Sequence, residues 1–167
     1  GTMVRKYIFG EPIETDAVVK ELASSAWSDG VFQKKEDGFH YSLKEDEIVY
    51  GLGENVRGIN KRGWRYISNC SDNPNHCENT NSLYGAHNFI MVGDGVHETY
   101  GLFVDTPGRV TFDIGYTDID DLCISMEEEN YKIYLIEAAS YRDVVKEFRE
   151  LIGRSYIAPR WAFGYGQ

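Results

Sequence analysis

The stretch R-V-T-F-D-I-G, Arg109 to Gly115, decides the fold class. Successive side chains of an extended chain point to opposite faces, so Val110, Phe112 and Ile114 share one face while Thr111 and Asp113 share the other. That pattern predicts a strand with one buried and one wet face. Lys132 between Tyr131 and Ile133 repeats it.

Working outward, runs rich in Val, Ile, Tyr, Phe and Thr recur along the chain, separated by Gly, Asp or Asn. They are 7–10, 17–23, 31–36, 39–45, 48–53, 64–68, 86–93, 99–105, 121–127 and 132–137. With 109–115 this makes eleven expected strands, the rhythm of an all-β domain. The turn VGDGVH, Val92 to His97, supplies Gly and Asp where a tight hairpin needs positive φ, so the runs on either side should pair antiparallel. So many strands with such turns fit a two-sheet antiparallel β-sandwich better than a small barrel.

After residue 139 the period changes. Ser140 stands as N-cap with Asp143 three residues on, and Tyr141, Val144, Val145, Phe148, Leu151 and Ile152 follow at helical spacing until Gly153. One amphipathic helix is expected there. Beyond Pro159 the run from Trp161 to Tyr165 is almost continuously apolar, which reads as a strand buried on both faces. Such a strand belongs to a parallel sheet, so the chain is expected to enter a second, α/β domain at its end. The expected organisation is residues 1–139 as sandwich, 140–158 as linking helix and connection, and 159–167 as the start of a further domain.

The 167 residues include 17 basic and 27 acidic ones, a formal net charge of −10. Such a surface repels phosphate backbones and anionic head groups, which argues against nucleic acid and membrane as partners. No stretch reaches the ~20 apolar residues of a membrane span, and GTMVRKYIFGEP lacks the apolar region of a secretory signal. A cytoplasmic setting is expected, with Met3 as the native start and Gly1 and Thr2 as a cloning remnant. Cys70, Cys77 and Cys123 are odd in number and sparse, so reduced thiols are expected rather than a disulfide framework. Asn69-Cys70-Ser71 matches a glycosylation tripeptide, which a cytoplasmic protein would leave unused.

Five strings carry a family likeness in order: GLGE (Gly51–Glu54), LYG followed by Phe89 (Leu83–Gly85), YGLFVDTP (Tyr100–Pro107), YRDVVKEFRELIGR (Tyr141–Arg154) and PRWAFGYGQ (Pro159–Gln167). Together they resemble family 31 of the glycoside hydrolases, over roughly residues 48–167; the first 47 residues match only loosely. The resemblance implies an N-terminal sandwich of galactose-mutarotase-like type, followed by a catalytic (β/α)8 barrel whose first strand begins at WAFGYGQ. It implies retaining hydrolysis of α-linked sugars, as in an α-glucosidase or an α-xylosidase. That chemistry needs two carboxyl groups about 5 Å apart. In the family both lie past the equivalent of Gln167, so no catalytic residue is expected in this chain, which alone should be inactive. An α-linked oligosaccharide is the expected substrate of the parent enzyme, the barrel is the expected partner, and the isolated piece is expected to self-associate through the surface meant for it.

The segment Ser68 to Ser82 is long and polar, and long loops without their own structure are usually functional or disordered. Family members resemble it with an Asn-x-Asp-like loop that leans over the barrel mouth. By that likeness Asp72 is the expected partner of sugar hydroxyls, with Asn69 and Asn73 behind it. NCSD carries one residue more than the family spacing, so Ser71 is an alternative. A solvated loop whose Asn and Asp only make turns is the other reading.

Cys70, His76 and Cys77 do not supply the paired spacing of a structural zinc site, and neither metal nor cofactor is expected. His40, His87 and His97 with Glu54 or Glu98 could be assembled into an epimerase-like acid and base pair, but read more simply as ordinary sheet residues. Trp27, Trp64 and Trp161 could stack on sugar rings, although aromatics of β proteins are more often core. A free-standing carbohydrate-binding sandwich is the competing reading of the whole chain.

Overall fold

Alternation along the chain becomes two stacked sheets in the computed structural model, which describes residues 1–10, 20–22, 27, 28 and 30–164. The first sheet contains β1 (Met3–Phe9), β2 (Lys20–Leu22), β6 (Ile48–Gly53), β8 (Ala86–Gly93), β9 (Thr99–Asp105) and β12 (Tyr131–Ala138), in the order β2-β1-β12-β9-β8-β6. The second contains β3 (Trp27–Ser28), β4 (Gln33–Lys35), β5 (Gly38–Ser42), β7 (Trp64–Ser68), β10 (Val110–Ile114) and β11 (Asp121–Met126), in the order β3-β4-β5-β11-β10-β7. Each expected strand is met by one of these. β3 had no signal of its own, and the flanks of the expected strand 17–23 lie outside the described residues.

The inner faces interdigitate as the alternation requires. Ile90, Leu102, Val104 and Ile133 of the first sheet meet Val110, Phe112, Ile114, Leu122 and Ile124 of the second, all essentially sealed from solvent. Each such side chain contributes about 1.5–3 kcal/mol by leaving water. β8 and β9 pair antiparallel across the expected hairpin. There Asp94 Oδ1 accepts the amides of Val96 and His97, each at 2.8 Å. One pairing departs from the antiparallel expectation: β1 and β2 run parallel over three residues, Tyr7 to Phe9. Residues 10–19 separate them, a longer link than a hairpin needs.

Helix α1 (Tyr141–Ile152) lies on the outer face of the first sheet. Its cap is the expected one: the Asp143 amide donates to Ser140 Oγ at 3.2 Å, and Gly153 closes the helix at φ 89°. Val144 and Phe148 are buried against Phe89, Ile136 and Ala138. Gly101 of the YGLFVDTP string makes room for this, since a Cβ there would lie 2.4 Å from Val144 Cγ1. Only part of the expected apolar stripe is covered, because Val145, Leu151 and Ile152 are exposed.

The end of the chain corrects an expectation. Arg160–Phe163 forms a 3-10 turn instead of the strand read from Trp161 to Tyr165, and residues 165–167 lie outside the described residues. Among the described residues no strand pairs with it, and the segment closes a local bond, Ala162 N to Pro159 O at 2.9 Å. Trp161 and Phe163 are 83% and 75% exposed, so Trp161 is not a core residue. Tyr156 and Ile157 are exposed as well. Trp64 packs partly buried against the core, while the Trp27 side chain lies outside the described residues.

Candidate functional site

Two of the quoted strings meet at the base of the loop between β7 and β8. Gly51, Leu52 and Gly53 of GLGE all have positive φ, at 128°, 68° and 72°, and the β6–β8 ladder shifts register between Gly51 and Gly53. This is a β-bulge, which bends a strand and ends its regular pairing. The bend turns Glu54 onto LYG: Glu54 N donates to Gly85 O at 2.8 Å, Leu83 N donates to Glu54 O at 3.2 Å, and Gly85 N donates to Glu54 Oε2 at 3.2 Å. Gly53 is needed for that approach, because a Cβ there would sit 2.0 Å from Gly85 O.

From this base the loop crosses from the edge of one sheet to the other. Ser82, buried at the neck, donates from Oγ to Asn69 O at 2.5 Å and accepts from Asn69 N at 3.2 Å. Arg57 secures the far side. Its guanidinium lies 4.2 Å from the centre of the Trp64 ring and 4.9 Å from that of Tyr66, and it donates to Glu78 O at 2.8 Å and to Arg65 O at 2.7 Å. A cation over aromatic faces that also donates to two carbonyls holds the loop backbone against β7.

The expected sugar-binding residues divide. Asn69, Ser71 and Asn73 line one open pocket of about 340 Å³, together with Asn79, Asn81, Thr80 and Arg109. Asp72 is exposed outside that lining and near Tyr84, whose hydroxyl is pushed up by desolvation and then by the Asp72 carboxylate. Asn73 also makes a turn, accepting Asn75 N at 3.0 Å, which is the solvated-loop role weighed for it. Arg57, Tyr84 and Arg109 were missed in the sequence because they lie outside the loop itself. The cation-rich, aromatic setting of Arg57 between GLGE and WRYIS is the only local sign.

The other titratable groups scatter. Ala86 N donates to Cys70 Sγ at 3.2 Å, Thr80 Oγ1 to Cys77 Sγ at 4.0 Å, and His76 Nδ1 lies 3.3 Å from Asn73 O, so these three do not converge. All three cysteines are free. His97 joins Asp94 in the hairpin turn, His87 sits beside Phe148 under the helix, and His40 lies on the outer face of the second sheet. The three histidines therefore lie in three different places. Burial, with Asp37, Asp121 and Asp113 nearby, pushes the Cys123 thiol up to about 11, far from nucleophile behaviour.

That outer face is not simply wet, contrary to the expectation for Asp113. Register places His40 opposite Cys123, Cys123 opposite Asp113, and Asp113 opposite Arg65, a polar row across four strands. Asp113 is buried, and accepts from Arg65 at 3.0 Å, from the Thr117 hydroxyl at 2.6 Å, and from the amides of Tyr116 and Thr117. Burial pushes its carboxyl up, but the bonds from Thr117, Arg65 and Tyr116 outweigh that and hold it below its ordinary value. A depressed folded value means the contribution is present above the unfolded pKa of about 3.9 and is lost as pH falls through the lower folded one. Arg65 is half exposed, so its share is discounted. Asp113→Ala is expected to cost about 2 kcal/mol at neutral pH through the lost hydroxyl and amide bonds. Urea denaturation of both proteins should show that gap narrowing below about pH 4; a gap independent of pH would contradict the ionised role.

The glycosyl hydrolase 31 N-terminal galactose mutarotase-like domain matches residues 9–113. An α-glucosidase of Saccharolobus solfataricus is 32% identical over 125 residues, covering 74% of this chain and 18% of the relative. The α-xylosidase XylQ of Lactiplantibacillus pentosus is 31% identical over 125 residues, covering 74% of this chain and 15% of the relative. Among solved structures, a family 31 dextranase of Flavobacterium johnsoniae superposes with a TM-score of 0.68 at 25% identity, covering 84% of this chain and 17% of that one. A cycloalternan-degrading enzyme of Trueperella pyogenes, at 23% identity and a TM-score of 0.66, covers 80% of this chain and 20% of its own, and shares the fold. The chain thus spans less than a quarter of the length of these relatives. The sandwich, the bulged GLGE strand locked to LYG and the capped helix agree with the match: this chain belongs to the glycosyl hydrolase 31 N-terminal galactose mutarotase-like domain family.

Proposed function

We propose that this chain is the non-catalytic N-terminal domain of a larger retaining α-glucosidase, one that removes terminal α-linked glucose from oligosaccharides. The observation that carries the reading is the family match, together with the small share of each relative that the chain spans. In this reading the two catalytic carboxylates belong to a barrel outside these residues, and the chain alone turns over no substrate. The exposed side chains of Val145, Leu151, Ile152, Tyr156, Ile157, Trp161 and Phe163 are the surface for that barrel. Exposed apolar side chains of this number favour a partner, so self-association of the isolated chain belongs to the same proposal. So does a cytoplasmic setting, supported by exposed free thiols at Cys70 and Cys77. The α-xylosidase relative, at nearly the same identity, supports a second reading in which the terminal sugar is xylose.

Within the parent enzyme, the loop from Ser68 to Ser82 would stand at the substrate entrance and offer Asp72 to a sugar hydroxyl. An exposed carboxylate keeps lone pairs that can accept a charge-assisted bond from a sugar hydroxyl. Asp72→Ala in the complete enzyme is expected to raise KM with little change in kcat, because a rim contact is equal in ground and transition states. Losing one such bond costs about 1.5–3 kcal/mol, roughly ten- to a hundredfold in kcat/KM. If Asp72→Ala changes neither constant while Ser71→Ala or Asn73→Ala does, the pocket of Asn69, Ser71 and Asn73 is the contact. If none of the three matters, the loop is only a connection.

A further inference from the structure

Beside the turn that joins β4 to β5, three atoms of metal-binding chemistry meet. Asp37 Oδ1, His40 Nε2 and Cys123 Sγ all lie within 4.8 Å of one another. Topology puts them there: His40 and Cys123 are directly opposed in the β5–β11 register, so both project from the same face, and the turn carries Asp37 back over the ring. Gly38 permits this closeness, having φ 150° and a position where a Cβ would lie 2.4 Å from Ile124 O and 3.3 Å from Cys123 Sγ.

The spacing suits an ion. His40 Nε2 and Cys123 Sγ are 3.6 Å apart. Zinc bonds of about 2.0–2.1 Å to nitrogen and about 2.3 Å to sulfur, at a tetrahedral angle, separate those two atoms by about 3.5 Å. Asp37 Oδ1 is 2.8 Å from Nε2 and would need to withdraw about half an ångström, which its exposed side chain in a turn allows.

The other ring nitrogen supplies the second line of argument. His40 is buried, and its Nδ1 lies 2.8 Å from Asp121 Oδ2. A neutral imidazole has one N–H, yet here both nitrogens face carboxylate oxygens. Two arrangements satisfy both contacts: a doubly protonated ring that donates to both aspartates, or a ring whose Nδ1–H donates to Asp121 while Nε2 and Asp37 present lone pairs to a cation. A carboxylate behind a ligating histidine is the usual means of fixing the ring and its tautomer.

We propose that His40 Nε2, Cys123 Sγ and Asp37 Oδ1 form a site for zinc or a similar borderline-soft divalent ion, with Asp121 orienting the histidine. Three protein ligands leave the fourth position open to water in the open pocket of about 470 Å³ above the sheet. Binding converts the Cys123 thiol to thiolate and releases its proton to solvent. The Asp, His and Cys set excludes magnesium and calcium as preferred occupants, because those ions take oxygen ligands.

The test uses the whole chain, freed of metal by chelator and titrated with zinc by calorimetry and with cobalt by absorbance. One equivalent of zinc should bind, and cobalt should show a thiolate charge-transfer band. Cys123→Ser should abolish the band, and Asp121→Asn should weaken zinc binding about ten- to a hundredfold while keeping the stoichiometry. The double variant Cys70→Ser, Cys77→Ser leaves Cys123 as the only thiol. That variant decides the matter even if Cys123→Ser folds poorly: a retained band assigns the ligand, and a lost band overturns the proposal. Failure of the wild-type chain to bind zinc in the micromolar range would overturn it as well, leaving His40 as a structural bridge between two aspartates.

Discussion

Gly51→Ala is expected to remove about 3–5 kcal/mol of folding free energy, a large part of the roughly 5–15 kcal/mol that holds a domain together. Two costs add. Gly51 has φ 128°, where an L-residue is strained by about 1–3 kcal/mol. A Cβ there would also lie 2.2 Å from Phe89 O and 2.9 Å from Ile90 Cα. Those are backbone atoms of the paired strand, so no rotamer change relieves the clash, and overpacking of this kind costs about 1–3 kcal/mol or more. β6 and β8 must part, and the base of the 68–82 loop parts with them. Gly58→Ala is the control, because a Cβ there meets nothing within 4 Å; its effect should stay within about 0.5 kcal/mol. Urea midpoints for the two variants decide the point, and equal shifts would show that the bulge is not what demands glycine.

Phe148→Ala should release helix α1 from the sandwich without melting the sheets. The ring stacks on Phe89 at 3.9 Å and 3°, and meets Phe103 at 5.3 Å and His87 at 5.7 Å edge-on. Truncating a buried phenylalanine costs about 3–5 kcal/mol. A twelve-residue helix is marginal alone, so that loss falls on its docking. Amide exchange across residues 141–152 should accelerate about a hundredfold to a few thousandfold, at tenfold per 1.4 kcal/mol. Amides of β10 and β11, in the other sheet, should keep their protection. If they accelerate equally, the helix belongs to the same cooperative unit as the core, and the layered description of its docking is wrong.

These two variants sit at positions that the sequence marked for different reasons. Phe148 lies in a helical period that names its own buried face, although Val145 and Leu151 of the same stripe remain exposed. Gly51 was marked only as part of a family string, and nothing local says that the string is a bulge. In the loop, composition marked only a long polar segment, and the family likeness named Asn69, Ser71, Asp72 and Asn73 within it. The likeness did not separate Asp72, near Tyr84, from the three that line a pocket with Arg109. That division depends on a side chain from the LYG string and another from the turn before β10.

Alternation and capping are short-range properties, so the sequence by itself determined the strands, the hairpin at Asp94 and the helix from Ser140 to Gly153. Burial of one face needs nothing more than period 2, which is why Val110, Phe112 and Ile114 were readable in place. Tertiary structure decided what period 2 leaves open. It set which strands are neighbours, and hence the row from His40 through Cys123 and Asp113 to Arg65, whose members lie far apart in the chain. It buried Asp113 on a face that alternation alone would leave wet. It also decided Arg160–Phe163, where an apolar run announced a strand: a strand exists only when its backbone donors and acceptors find a partner, and these close on themselves instead.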